Sequence, residues 1–245
     1  MTLPDETRLY QIIETTWPPA ATAMAGPWTI RDGGGGQGRP SSRVTAATDD
    51  GGARETDIDL AEAKCRALNQ PPLFMIRAGE DALDGWLATR GYLIKDPVNL
   101  YAAPVEALLG DVPPVTSFEV WPPLAASRQV WAEGGIGSGR VAIMERATCR
   151  KVTLLGRTND APAGAAYIGI DGDAAMIHCV EIAPAHRRKG LARHLMRAAA
   201  RWAQANGAAW FTLVTTREND GANALYASLG MQVVGHYHYR FHPEG

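Results

Sequence analysis

Residues 174–216 constrain the chain more than any other part of it. Ala175 to Ile182 reads as a buried strand, and Trp210 to Thr215 as a second one. Between them lie the loop Ala-Pro-Ala-His-Arg-Arg-Lys-Gly and a long amphipathic helix, from about Lys189 to Ala205. Two strands joined through a helix cannot form a hairpin. The connection is long enough to cross over the sheet and return in the same direction, which makes the strands parallel neighbours. A mixed-sheet α/β fold with parallel strands at its centre follows.

The loop before the helix carries its own chemistry. Arg187, Arg188 and Lys189 are three successive cations, and Gly190 opens the helix without a side chain to block an approaching anion. A helix start also exposes unpaired N–H groups and the positive end of the backbone dipole. This is the chemistry of a phosphate cradle. No GxxxxGK[ST] occurs and this stretch lacks GxGxxG, so it is neither of the common nucleotide loops. Behind the loop, Leu191, Leu195, Ala199 and Trp202 form an apolar stripe. Arg193, Arg197 and Arg201 repeat on another face, which reads as solvated.

A second informative stretch is Asn219-Asp-Gly-Ala-Asn-Ala-Leu-Tyr-Ala-Ser-Leu-Gly-Met231. Asn219 caps a short helix, Ala222, Leu225 and Leu229 form its buried stripe, and Gly230 closes it. Tyr226 falls on a neighbouring face.

Taken together, Arg187-x-x-Gly190-x-Ala192 and Asn219-x-x-Ala222-x-x-Leu225-Tyr226-x-x-x-Gly230-Met231 resemble the two signature motifs of the GNAT superfamily of acetyl-CoA-dependent N-acyltransferases. Order, spacing and intervening elements agree over about Val115 to Arg240. The sequence departs from the commonest pattern with Arg at 187, Ala at 192 and Met at 231. Earlier in the chain, the strand Leu73 to Arg77 and the segment Leu83-Asp-Gly-Trp-Leu-Ala-Thr-Arg-Gly-Tyr92 look like the end of a second, worn copy. Nothing before Leu73 resembles the cradle. The resemblance therefore implies a GNAT-like acyltransferase fold with splayed central parallel strands, at 114–245. A smaller degenerate GNAT-like domain at 1–113 precedes it, with the boundary at the Pro113-Pro114 seam.

In such a fold acetyl-CoA, as cosubstrate, lies where the two parallel strands part. The resemblance implies that Arg187, Arg188, Lys189, Gly190, Leu191 and Ala192 hold the pyrophosphate. It likewise gives the pantetheine arm to backbone groups of Val180 and Ile182, with Asn219 in support, and makes Tyr226 the proton donor to the leaving thiolate. An alkylamine acceptor, with a pKa of about 10.4, must lose a proton to attack. Glu181 is the first candidate base, beside the carbonyl position. Its other reading is a surface carboxylate paired with Arg187 or Arg188, and His178 is the fallback. The implied reaction is acetyl transfer to a primary amine of unspecified identity, by direct attack in a ternary complex. The alternative is a non-catalytic acetyl-CoA sensor or scaffold.

The remainder of the sequence narrows the setting. A helix is predicted over Glu6–Thr16, strands over Trp28–Arg31 and Ser42–Ala47, and a helix over Asp57–Leu68 with Leu60, Ala63, Ala67 and Leu68 inward. Tyr92–Lys95 and Val98–Ala102 read as two strands around Pro97, and Met231–Phe241 as two strands or one hairpin. Loop 33–39, glycine-rich, is a candidate border of the acceptor site. His236 and His238 read as strand alternation, and the only carboxylate near them and His242 in sequence is Glu244 at the chain end, so no metal is expected; Cys179 reads as core rather than nucleophile. Three distant cysteines without a CxxC point to a reducing compartment. The acidic, polar start is unlike a signal peptide, and no apolar run approaches the roughly 20 residues of a membrane helix. A cytoplasmic chain, monomeric or homodimeric, with no membrane or nucleic-acid partner is expected. The formal charge of −2 hides an asymmetry: −6 over 1–113 and +4 over 114–245. The acidic half is expected to attract a cationic amine.

Overall fold

The computed structural model describes residues 2–34, 44–46 and 52–243. It opens with helix α1 (Glu6–Thr16), whose N-cap Asp5 accepts a hydrogen bond from the Arg8 N–H at 2.8 Å. That bond satisfies one of the amides a helix start leaves without a partner. Leu9 and Ile12 are fully buried on its inner face, each worth roughly 1.5–3 kcal/mol of burial.

Seven elements follow: β1 (Ala21–Ala25), β2 (Trp28–Asp32), β3 (Val44–Ala46), α2 (Ile58–Ala67), β4 (Leu73–Arg77), α3 (Asp81–Thr89) and β5 (Leu93–Pro104). A coil leads to β6 (Ser117–Val120), α4 (Ala125–Glu133) and α5 (Ser138–Arg146). The same order of seven then recurs as β7 (Lys151–Thr158), β8 (Ala161–Asp171), β9 (Ala174–Ile182), α6 (Leu191–Ala205), β10 (Trp210–Thr216), α7 (Asp220–Ser228) and β11 (Gln232–Phe241). All strands join one sheet, ordered β1-β2-β3-β4-β11-β5-β10-β9-β8-β7-β6.

The centre of that order is an exchange. β11, last in the chain, lies between β4 and β5, and β5 lies between β11 and β10. β5 runs antiparallel to β10 over the whole length of that strand, from Trp210↔Pro104 to Thr216↔Val98. The coil holding the Pro113-Pro114 seam therefore links two segments that complete each other's sheet. It is also tied down: Arg197 donates to the Asp111 carbonyl at 3.1 Å and Arg201 to the Gly110 carbonyl at 2.6 Å. With Arg193 donating to Ser228 Oγ at 2.9 Å, the arginine row of α6 holds the chain together rather than simply facing solvent.

The stripe of α6 is buried as its periodicity predicts, with Leu191, Leu195, Ala199 and Trp202 packed on Leu154, Ile168, Ile177 and Phe211. On the opposite face, α4 and α5 press Val130, Trp131, Val141 and Met144 onto Ala165 and Tyr167. α1 covers the exchanged strands, with Leu9 and Ile12 in a cluster holding Leu100, Met176 and Tyr237.

Some expectations are corrected. α2 buries Ile58, Ala61 and Cys65, while Leu60 and Leu68 are 38% and 41% exposed. The helix enters through a 3-10 turn at Glu55–Asp57, and its inner face is set by where Phe74 and Trp28 lie. Residues 93–104 form one strand, because Asp96 takes up a bulge at φ +46° and the Pro97 carbonyl accepts from the Arg217 N–H at 2.7 Å. Residues 232–241 likewise form one strand. β1 has no counterpart among the expected strands: its first four residues are exposed, so its alanines carry no alternation.

Candidate active site

β9 and β10 are paired only from Trp210↔Ala174 to Thr212↔Met176. Beyond that point the two parallel strands have no ladder between them, so the β10-facing backbone of 177–182 has no strand partner. The parting coincides with a bulge in β9: Ala165 opposes Glu181 and Tyr167 opposes His178, leaving one residue more on β9 than on β8. Cys179 stands in the left-handed region at φ +52°. The extra residue resets the alternation. Ile177, Val180 and Ile182 face the α6 side, while His178 and Cys179 face α1, α4 and α5.

A cleft of about 560 Å³ opens at the splay. Val180, Thr215, Asn219 and Tyr226 border it, as do Trp17, Arg31 and Met75 of the first segment and Tyr239 of the exchanged β11. Tyr226 is 7% exposed and packs edge-on against Tyr101, ring centroids 5.7 Å apart. Burial pushes its hydroxyl up to about 12, so it keeps its proton at any working pH. Its position is set by α7. Asn219 Oδ1 accepts from the Ala222 N–H at 3.2 Å, and Asn223 ties the helix to β5 by accepting from Tyr101 and Asn99 at 2.8 and 3.1 Å.

The segment expected to hold the pyrophosphate leads into α6. α6 begins at Leu191, with Gly190 as its N-cap at φ +85° and Arg188 at φ +64°. A side chain at 190 would be strained there, although a Cβ would meet only His194 Nε2 at 3.8 Å. Leu191, Ala192 and Arg193 are the first-turn donors of α6, with no intrahelical acceptors. Arg188 and Lys189 are exposed, the latter donating to the Ala185 carbonyl at 3.0 Å. Arg187 is used otherwise: it donates to the Ile182 carbonyl at 2.9 Å and to Glu181 at 2.9 Å. A helix start with free N–H donors and exposed cations beside it has the chemistry to hold an anionic group.

Glu181, expected as the base, does not line the cleft. It lies over Gly134 at the end of α4, so close that a Cβ on that glycine would stand 2.4 Å from its carboxyl carbon. Its carboxylate is held by Arg187, the surface pairing of its other reading. His178, the fallback, does line the cleft. Trp17 stacks on its ring at 5.0 Å, and burial lowers its pKa to about 3, so it is neutral. Cys179 is a free thiol pushed up to about 12 by burial, and its carbonyl accepts from Trp131 Nε1 at 2.8 Å. Neither feature suits a nucleophile.

The acidity of 1–113 is not concentrated in the cleft. That half contributes Glu14 and Asp96 to the lining, against Arg31, Arg77 and Lys95. The terminal histidines separate: His238 lies 2.7 Å from Asp84 in a cluster with Arg240, while His242 packs edge-on against Tyr92. Among the described residues no group of three His, Cys, Asp or Glu side chains could hold a metal. No helix among them is long and apolar enough to cross a membrane. Most of loop 33–39 lies outside the described residues. Sequence reading missed Trp17, Thr16 and Arg140, because no local pattern marks side chains gathered from such distant segments.

Residues 121–231 match the model of the acetyltransferase (GNAT) family. The chain is 26% identical to the uncharacterised N-acetyltransferase YobR of Bacillus subtilis, over 96% of this chain and 98% of that one. In fold it is similar to a GCN5-related N-acetyltransferase from Kribbella flavida, with a TM-score of 0.73, 18% identity and coverage of 97% and 95%. It is also similar to a tandem GNAT protein from the clavulanic acid biosynthesis pathway, with a TM-score of 0.60, 14% identity and coverage of 95% and 86%.

Proposed function

The chain is a member of the GNAT superfamily of N-acetyltransferases, and from that premise we propose that it transfers the acetyl group of acetyl-CoA to a primary amine by direct attack in a ternary complex. The observation that carries this reading is that β9 and β10 part at a cleft bordered by Tyr226, while β9 leads through residues 183–189 into the Gly190 helix start.

Each residue then has a task. N–H groups from Arg188 to Ala192 hold the pyrophosphate, with Arg188 and Lys189 adding charge. The backbone of Val180 and Ile182, which has no strand partner on the β10 side, receives the pantetheine arm as an added strand, and Asn219 supports it from the start of α7. A β9 N–H at the bulge polarises the thioester carbonyl and stabilises the oxyanion. Acetyl-CoA supplies the activated acyl group. Tyr226 gives its proton to the departing thiolate. Glu181 is not the base in this reading. His178, neutral and in the cleft, offers a ring nitrogen as acceptor to the amine or to a water that carries its proton away.

The recurring order of seven elements supports reading the chain as two copies of one unit, with the first lacking a cradle of its own and forming the acceptor wall. The test is release of free CoA from acetyl-CoA across a panel of amines. Binding of acetyl-CoA without turnover of any amine would favour a sensor instead.

A further inference from the structure

The cleft holds one cation beside the expected reacting position that no carboxylate neutralises. Arg140, in the first turn of α5, lines the cleft with its guanidinium against the Cys179 side chain. Arg31, on the other wall, is paired with Glu14 at 2.8 Å, and Arg77 with the buried Glu80 at 2.8 Å. Lys95 lies over the Phe241 ring at 5.0 Å. Among the described residues no ion pair is formed by Arg140, although Glu181 is close in sequence to the residue it touches; that carboxylate is held by Arg187.

The neighbours of Arg140 add no second positive charge. His178 is adjacent in sequence to Cys179, and its ring is neutral. Its protonation pattern follows from Thr16, whose hydroxyl donates to the Ile12 carbonyl at 2.7 Å. With that proton committed, Thr16 Oγ1 accepts from His178 Nε2 at 2.9 Å, and Nδ1 is left as the acceptor. An acceptor nitrogen of His178 and a guanidinium set against Cys179 thus occupy the same stretch of the cleft wall. Trp17, Ile13 and Met75 give the same cleft an apolar wall.

Resting on the acetyl-transfer reading above, we infer that the acceptor is an amine bearing an acidic group, carboxylate or phosphate, close to its nitrogen, and that Arg140 binds that group. A guanidinium presents two parallel N–H donors that match either oxyanion. His178 Nδ1 accepts from the amine, while Arg140, reaching from α5 to the next residue of β9, receives the acid. Because Arg140 touches the residue next to His178, compact acceptors such as α- and β-amino acids are expected to be preferred over long diamines. Arg140 is a specificity residue in this scheme and takes no part in the proton transfers.

The test uses the full chain and acceptors matched in body: phenethylamine against phenylalanine, and ethanolamine against β-alanine and O-phosphoethanolamine. CoA release gives kcat and KM for wild type, Arg140→Gln and Arg140→Lys. The expected result is a preference of about tenfold or more in kcat/KM for an acid-bearing member, set mainly by KM. That preference falls to near unity in Arg140→Gln and is partly restored in Arg140→Lys. The ethanolamine series tells carboxylate from phosphate. Equal use of acidic and neutral acceptors, or a preference that survives Arg140→Gln, overturns the inference and leaves acetyl transfer standing. A second arm needs no turnover: calorimetric binding of N-acetylphenylalanine and N-acetylphenethylamine to the CoA-loaded protein. If no amine is acetylated, the acetyl-transfer reading fails. Acid-selective binding that Arg140→Gln removes then still supports the anion site, and its absence overturns it.

Discussion

Thr16 Oγ1 and His178 Nε2, 162 positions apart in the chain, lie 2.9 Å from each other. The contact fixes the last turn of α1 against the bulge of β9. It brings the first segment to the cleft and sets which nitrogen of His178 carries the proton.

The first prediction concerns acid stability. The pKa of His178 is lowered to about 3 by burial, below the roughly 6.5 of an unfolded histidine. Between those values the unfolded chain binds a proton that the folded one does not, so stability falls as pH drops below 6.5. The slope reaches about 1.4 kcal/mol per pH unit. In urea unfolding at pH 7 and pH 5, His178→Gln should lose about 1–2 kcal/mol less than wild type over this interval. Equal losses would count against a buried neutral imidazole.

Tyr226→Phe should lower kcat by about 100-fold, within the range of general acid catalysis. The ring packing on Tyr101 survives the change, so the midpoint of thermal unfolding should stay close to wild type. Unchanged turnover would remove Tyr226 from the mechanism.

Glu181→Gln should leave kcat within about threefold of wild type, whereas loss of a general base costs about 100-fold or more. Its partner Arg187 is 55% exposed in its side chain, so solvent screening limits the stability change to less than about 1 kcal/mol. A collapse of kcat with normal stability would restore Glu181 as the base.

Gly190→Ala should destabilise the protein by about 1 kcal/mol through its left-handed backbone rather than through a clash. It should also weaken acetyl-CoA binding, because the cradle amides take their direction from that residue. Calorimetric titration with CoA measures the second effect directly.

The segment 114–245 expressed alone should not unfold cooperatively. It lacks β5, and β10 and β11 then face each other across an empty place in the sheet. Circular dichroism and gel filtration test this, and a stable monomer with a sharp thermal transition would contradict it.

What the sequence determined by itself is local in origin. The apolar stripe of α6, the glycine at 190 that opens it, and the Asn219 cap are set within a few residues, where periodicity and capping chemistry act without help. The parallel run of β9 and β10 is equally legible, because a helical crossover of that length admits no other direction. The tertiary structure decided the rest, because the deciding contacts join distant parts of the chain. The inward face of α2 depends on Phe74 and Trp28, so a stripe containing Leu60 and Leu68 could be drawn and still face solvent. Glu181 and His178 share a strand, yet a single bulge residue and Arg187 place one outside the cleft and the other within it. The exchange of β5 and β11 leaves no mark in either strand's sequence, since a strand's alternation records which face is buried but not which neighbour pairs with its edge.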